Sequence, residues 1–188
     1  MEGLVVPGEV RGESPIDTTR VDTLVVGLGN PILGDDGVGW QVVAEVERRL
    51  KRVGSELGAV DLCGSPHSLA TTCLSLGGLS LMEHLIGCRR AIIVDAVRGG
   101  GPVGSICVLP LEDFPEARCS HVASAHDAAL STALNLGRGL GAVLPERVWI
   151  VGIVAECLDE FSEQLSPAVA AAVSRAAQRV LELLAEEA

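Results

Sequence analysis

Apolar residues in this chain follow two rhythms, short continuous runs and stripes at helical spacing, and these alternate along its length. Thr23 to Leu28 is a short apolar stretch rich in β-branched residues, which predicts a buried strand running into a glycine-rich turn. Val38, Val42, Val43, Val46 and Leu50 then recur at helical spacing and predict a helix from Gly37 to Arg52, with basic residues in its last turn. Val60 to Cys63 reads as a second short strand. Ser68 to Leu85 reads as a helix of mixed quality, bent or broken at Gly77 and Gly78. Arg90 to Val97 holds the run Ala91-Ile92-Ile93-Val94 and predicts a third buried strand, leading into Asp95. After a turn at Gly99 to Pro102, Ser105 to Leu109 returns as an edge strand free to run antiparallel. A helix over Asp127 to Leu136 and a strand over Val148 to Val154 follow. The last helix, Pro167 to Glu186, has Ser166 as its cap, Pro167 in its first position, and an apolar stripe of Val169, Val173, Ala176, Val180 and Leu184.

Strands that alternate with helices imply parallel pairing and right-handed crossovers. The expected fold is therefore α/β, a three-layer α-β-α sandwich with a mostly parallel twisted sheet, formed by one domain over residues 21–188. Its central strands, Thr23 to Leu28, Val60 to Cys63, Arg90 to Asp95 and Val148 to Val154, should all be parallel. Residues 1–20, with Pro7, Gly8, Gly12 and Pro15 and no periodicity, read as a flexible lead-in. Ligands of such sheets bind outside the carboxyl ends of the strands. The turn after Leu28, the segment at Cys63, and Asp95 should share that edge.

Composition narrows the partners. The 188 residues are 48% hydrophobic but only 2% aromatic, with no Tyr, so one aliphatic core is expected. A net charge of -11 repels nucleic-acid phosphates and anionic lipid and favours a basic or metal-bearing partner. No apolar run is long enough for membrane insertion, and Met1 to Pro15 holds no secretory h-region. Six cysteines without paired CxxC spacing point to reduced thiols in the cytoplasm.

The densest chemical signal runs from Gly27 through Gly29, Asn30, Pro31, Gly34, Asp35, Asp36 and Gly37 to Gly39. A dinucleotide fingerprint would need a glycine at Ile32 and a helix starting before Pro31, so that reading fails on its own mechanism. Adjacent carboxylates in a glycine-lined loop suit divalent metal or proton exchange, and the glycines Gly29 and Gly37 with Asn30 let a substrate backbone approach. Either Asp35 or Asp36 could instead cap the first helix. Asp95 is a structural hydrogen-bond acceptor or an active-site group. His126, in Ser124-Ala125-His126-Asp127, stands where a helix should start and can face the same cleft, whereas His84 lies inside a helix as a surface or core residue.

The pattern GxGNxxxxDDGxG, the strand reaching Asp95-Ala96-Val97, the Ser-Ala-His126 segment and Val151-Gly152-Ile153-Val154-Ala155-Glu156 together resemble the hydrogenase maturation proteases, a family of nickel-dependent endopeptidases. The resemblance covers Val21 to Leu184. It implies a helix-sandwiched sheet and removal of the C-terminal extension from the nickel-loaded precursor of a hydrogenase large subunit. It also implies a nickel site built from an acid in the glycine loop, an acid at the end of the second strand, and a histidine before the third major helix. These positions fall on Asp36, Cys63 and His126. Asp36 stands where many relatives carry Glu, and Cys63 where the family usually has Asp. A thiolate is a competent nickel ligand, Asp61 shares the strand face of Cys63, and His67 could swing in from the following loop. Asp35 would orient the loop or assist proton transfer. Two other readings stay open: a peptidyl-tRNA hydrolase-like enzyme, which also opens on Gly-Leu-Gly-Asn-Pro, and a non-catalytic nickel-binding chaperone.

Overall fold

The computed structural model describes residues 21–57, 69–75, 77–113 and 125–186. Its sheet has five strands in the order β2-β1-β3-β5-β4: β1 (Thr23–Leu28), β2 (Leu69–Leu74), β3 (Arg90–Val97), β4 (Ile106–Pro110) and β5 (Arg147–Val154). The pairs β1–β2, β1–β3 and β3–β5 are parallel, and β4 runs antiparallel along β5 at the edge, as the glycine-rich turn before it allows. The helices among the described residues are α1 (Val38–Leu57), α2 (Gly78–His84), α3 (Ala125–Gly139) and α4 (Pro167–Ala185). No helix among the described residues is long and apolar enough to cross a membrane.

Alternation along the strands divides the core into two layers. Val25, Ile92, Val94, Ala96, Val151 and Ile153 meet Val38, Val42, Val43 and Val46 of α1 and the buried stripe of α4. Leu24, Val26, Leu28, Ala91, Ile93, Val148 and Ile150 meet Leu81 and Met82 of α2 and Leu130, Ala133 and Leu134 of α3. The expected three layers are present, with α1 and α4 on one face and α2 and α3 on the other.

One stretch departs from expectation. The helix predicted from Ser68 is instead strand β2 over Leu69–Leu74, then a seven-residue helix from Gly78. The strand beside β1 is therefore Leu69–Leu74, while the expected strand Val60 to Cys63 falls outside the described residues. The cause is local: Leu69-Ala70-Thr71-Thr72-Cys73-Leu74 has no clean period and is half-buried along its length, yet its two β-branched threonines suit a pleated edge. Gly77 and Gly78, expected to bend or break a longer helix, instead begin one, with Gly77 as the N-cap of α2.

The other elements lie within a few residues of their expected bounds. Ser166 is a second correction: its side chain makes no capping hydrogen bond at the start of α4. Its backbone N–H donates to Oδ1 of Asp35 at 2.6 Å instead, so the cap comes from a carboxylate 131 residues away in sequence.

Candidate active site

Strand order makes the crevice. The connection after β1 leaves through α1 on one face, and the chain after β3 returns through α3 on the other, so β1 and β3 part at the carboxyl edge of the sheet. Open α/β sheets bind their ligands at such a switch point.

The β1 side of the crevice is the glycine loop. Gly29 has φ 114°, and a Cβ there would lie 1.8 Å from the Asp36 carbonyl oxygen, so only glycine allows the loop to fold back on itself. Folding back brings the Asp36 carboxylate under the loop entrance, where its Oδ2 accepts the Asn30 N–H at 2.6 Å. The Ser75 hydroxyl, just past β2, donates to the Gly29 carbonyl at 2.8 Å, and the Gly29 N–H donates to the Leu74 carbonyl at 3.2 Å. Residues Gly34–Gly37 form a 3-10 turn that packs on β3 and leads into α1.

The two adjacent acids part company. Asp35 is 1% exposed, and besides the bond from Ser166 its own N–H donates to the Cys157 carbonyl at 3.0 Å. The Gly34 N–H donates to the Ser162 carbonyl at 2.7 Å and the Ser162 N–H to the Ile32 carbonyl at 3.0 Å. Asp35 thus ties the turn to the segment between β5 and α4, and Asp36 is the partly exposed member of the pair. That clamping segment leaves no mark in the sequence, because its contacts to the turn are made by backbone groups.

The β3 side of the crevice is Asp95, which is 0% exposed and pairs with Gly152 of β5. Strand β3 continues to Val97, so Asp95 is not its last residue. The last β1–β3 pair is Gly27 with Val94, and Asp95 stands one step beyond it, where β1 turns away. By the two-residue period it shares the face of Ala91 and Ile93, the side covered by α2 and α3.

His126 is the second residue of α3, in that same layer, although its side chain lies outside the described residues, as do Asp61, Cys63, His67 and His121 altogether. His84 is an exposed residue of α2 whose Nδ1 sits 2.8 Å from the Ser80 carbonyl.

Cys73, Cys88 and Cys157 are not set up as nucleophiles. Burial pushes the Cys88 thiol up; burial and then the Glu47 charge do the same at Cys73. At Cys157, beside the loop, desolvation and then the carboxylates of Glu160, Asp35 and Glu156 raise the thiol above its ordinary range. The thiolate is the reactive form, so iodoacetamide should label Cys157 slowly at neutral pH and faster only above the usual thiol range. Rapid labelling at neutral pH, followed by mass spectrometry, would contradict this.

Comparison with known proteins places this architecture. Residues 76–183, which include Asp95 and His126, match the hydrogenase maturation protease family. The chain is 27% identical over 165 residues to the hydrogenase 2 maturation protease of Escherichia coli, covering 87% of this chain and 90% of that protein. It is 24% identical over 164 residues to the hydrogenase expression/formation protein HoxM of Cupriavidus necator, covering 86% of this chain and 73% of HoxM. Its fold superposes on the hydrogenase maturating endopeptidase HybD from E. coli with a TM-score of 0.68, at 24% identity over 89% of this chain and 94% of that one. The peptidyl-tRNA hydrolase-like and chaperone readings draw no support from these matches. A mostly parallel sheet covered by helices on both faces, a glycine loop with an acid pair that packs on the strand of a buried aspartate, and a family match over more than half its length make this chain a peptidase of the hydrogenase maturation protease family.

Proposed function

We propose that this protein removes the C-terminal extension from the nickel-loaded precursor of a NiFe-hydrogenase large subunit, in the cytoplasm, and that Asp36, Asp95 and His126 meet the nickel carried by that substrate. The observation that carries the assignment is the position of Asp95: fully buried at the switch point, on the strand against which the turn holding Asp36 packs. The four described cysteines are free thiols, in keeping with a reducing compartment.

The donor chemistry fits. Two carboxylates offer oxygen ligands that complement the thiolates of a substrate-held nickel, and a histidine completes a mixed set. Among the described residues no three His, Cys, Asp or Glu side chains form a metal-ligand group, so the proposal requires His126 or the substrate to complete it. Cys63 is the second candidate for the middle position, with Asp61 and His67 as its neighbours in sequence.

A nickel ion held there would supply Lewis acidity toward the scissile carbonyl or an attacking water. The chain's own residues supply position. Asn30 N–H pins the Asp36 carboxylate, and Asp35 fastens the turn to the start of α4. Gly29 and Gly37 let the loop close against the Asp36 carbonyl and Pro31, and so fix the loop edge that would meet the substrate main chain. A substrate held in register by these groups reacts within the complex rather than by random encounter.

The test is to incubate the protein with nickel-loaded precursor and with the same precursor lacking nickel, then weigh the products. A single C-terminal truncation seen only with nickel supports the proposal, and no truncation of the loaded precursor overturns it. In the same assay Asp95→Asn should lose most activity and Cys63→Ala should keep it. The reverse ranking moves the middle ligand to Cys63, in which case Cys63→Asp should retain activity.

A further inference from the structure

The segment that clamps the site loop carries an aromatic and acidic crest. Phe161 is 86% exposed and Ile32 is 47% exposed. The two are held side by side, because the Ser162 N–H donates to the Ile32 carbonyl at 3.0 Å and Leu33 forms a parallel bridge with Ser162. This chain has two Phe, two Trp and no Tyr, so a nearly bare Phe stands out against its aliphatic composition. Exposed aromatic side chains contribute little to folding and are enriched at binding surfaces. Around it in sequence stand the exposed acids Glu156, Asp159, Glu160 and Glu163. Among the described residues the cation paired with them is Arg98, on Asp159.

We infer that this crest is the docking surface for the large-subunit precursor, which seats an apolar side chain on Phe161 and Ile32 and lays lysine or arginine residues against the surrounding carboxylates. The inference rests on the proposed function and adds to it the chemistry by which the partner is recognised. Charge argues for the occupant. A second copy of this chain, at a net charge of -11, would be repelled from an acidic crest, whereas a basic segment is drawn to it. Continuity argues for it as well: the Gly34 N–H bonds to Ser162 and the Asp35 N–H to Cys157, so a segment seated here lies next to the residue that precedes Asp36. The carboxylates are exposed and steer the encounter in a salt-sensitive way, while the aromatic anchor holds the complex.

The test measures KM and kcat for the loaded precursor with the wild type, Phe161→Ser, Ile32→Ser and the double variant Glu160→Lys with Glu163→Lys, at low and moderate salt. Direct binding to the precursor is measured in parallel. Phe161→Ser should raise KM and Kd by about tenfold with kcat unchanged, the size expected when an interface anchor is truncated. Ile32→Ser should do the same to a smaller degree. The double lysine variant should weaken binding at low salt and flatten its salt dependence. Thermal melts check that the exposed substitutions leave the fold intact. Unchanged KM and Kd in Phe161→Ser and in the double variant would overturn the inference, as would a fall in kcat alone. A wild type that binds the precursor without cutting it would count against the proposed function instead, and the binding measurements would still decide the crest.

Discussion

Asp36→Ala is expected to lower cleavage of the nickel-loaded precursor by more than about a hundredfold, since even groups that only support a metal ligand are worth about ten- to a hundredfold. Its effect on stability should be moderate. The substitution removes the acceptor of the Asn30 N–H, a partly buried hydrogen bond to a carboxylate worth about 2 kcal/mol, which lowers Tm by about 4–8 °C in a domain of this size. Activity and stability should therefore separate. Asp36→Asn sharpens the test, because it keeps an acceptor for Asn30 while removing the charge, and it should fall nearly as far in activity with less change in Tm. Asp36→Glu keeps the oxygen donor on a longer arm and should retain part of the activity. Precursor processing followed by mass spectrometry, with melts on the same samples, checks all three. An Asp36→Ala protein that still processes the precursor at a rate near wild type would remove Asp36 from the site.

Gly39→Ala should be the most damaging of these substitutions to the fold. A Cβ at that position would lie 2.3 Å from the Leu28 carbonyl oxygen, 2.5 Å from the Val94 carbonyl oxygen and 2.9 Å from the Leu28 nitrogen. All three atoms are backbone of the central strands, so no side chain can swing aside, and α1 must lift off the sheet. Overpacking of this kind costs about 3 kcal/mol, at the upper end of the usual range, or about 6–12 °C in Tm. The damage should reach the crevice as well, because Leu28 precedes Gly29 and Val94 precedes Asp95. Moving α1 therefore shifts both walls of the site. Thermal unfolding measures the first effect and precursor processing the second; a Tm within about 2 °C of wild type would show that the close contact relaxes at little cost.

These two predictions draw on different kinds of information. The loop that carries Asp36 was legible in the sequence, because the conformations it needs are written in residue types: glycine at the back-folded position 29 and again where the helix meets the strands at 39. Strands β1, β3 and β5 were legible for a similar reason. Each is a continuous apolar run buried by helices on both faces, a pattern that local composition alone carries. The stripe on α4 and the antiparallel edge of β4 followed from period and turn chemistry.

What local composition could not decide was every feature whose partner is distant. Leu69–Leu74 is half-buried on the sheet edge, so its pattern fits a strand or a helix, and pairing with β1 settles the matter. Asp35 and Asp36 are neighbours of identical chemistry. Ser166, 131 residues away, engages Asp35, and the tertiary fold thereby separates a structural tie from a partly exposed carboxylate. Asp95 was ambiguous for the same reason. Read along the chain, it is one acid near the end of a buried strand; its place at the switch point next to β1 depends on β3, rather than β2 alone, lying against β1. The chain alone therefore determined which segments would be strands and helices and where the backbone would bend sharply, because those depend on side chains a few residues apart. Strand order and the division of labour between adjacent carboxylates were left to the tertiary structure, because they depend on groups that become neighbours only once the sheet has formed.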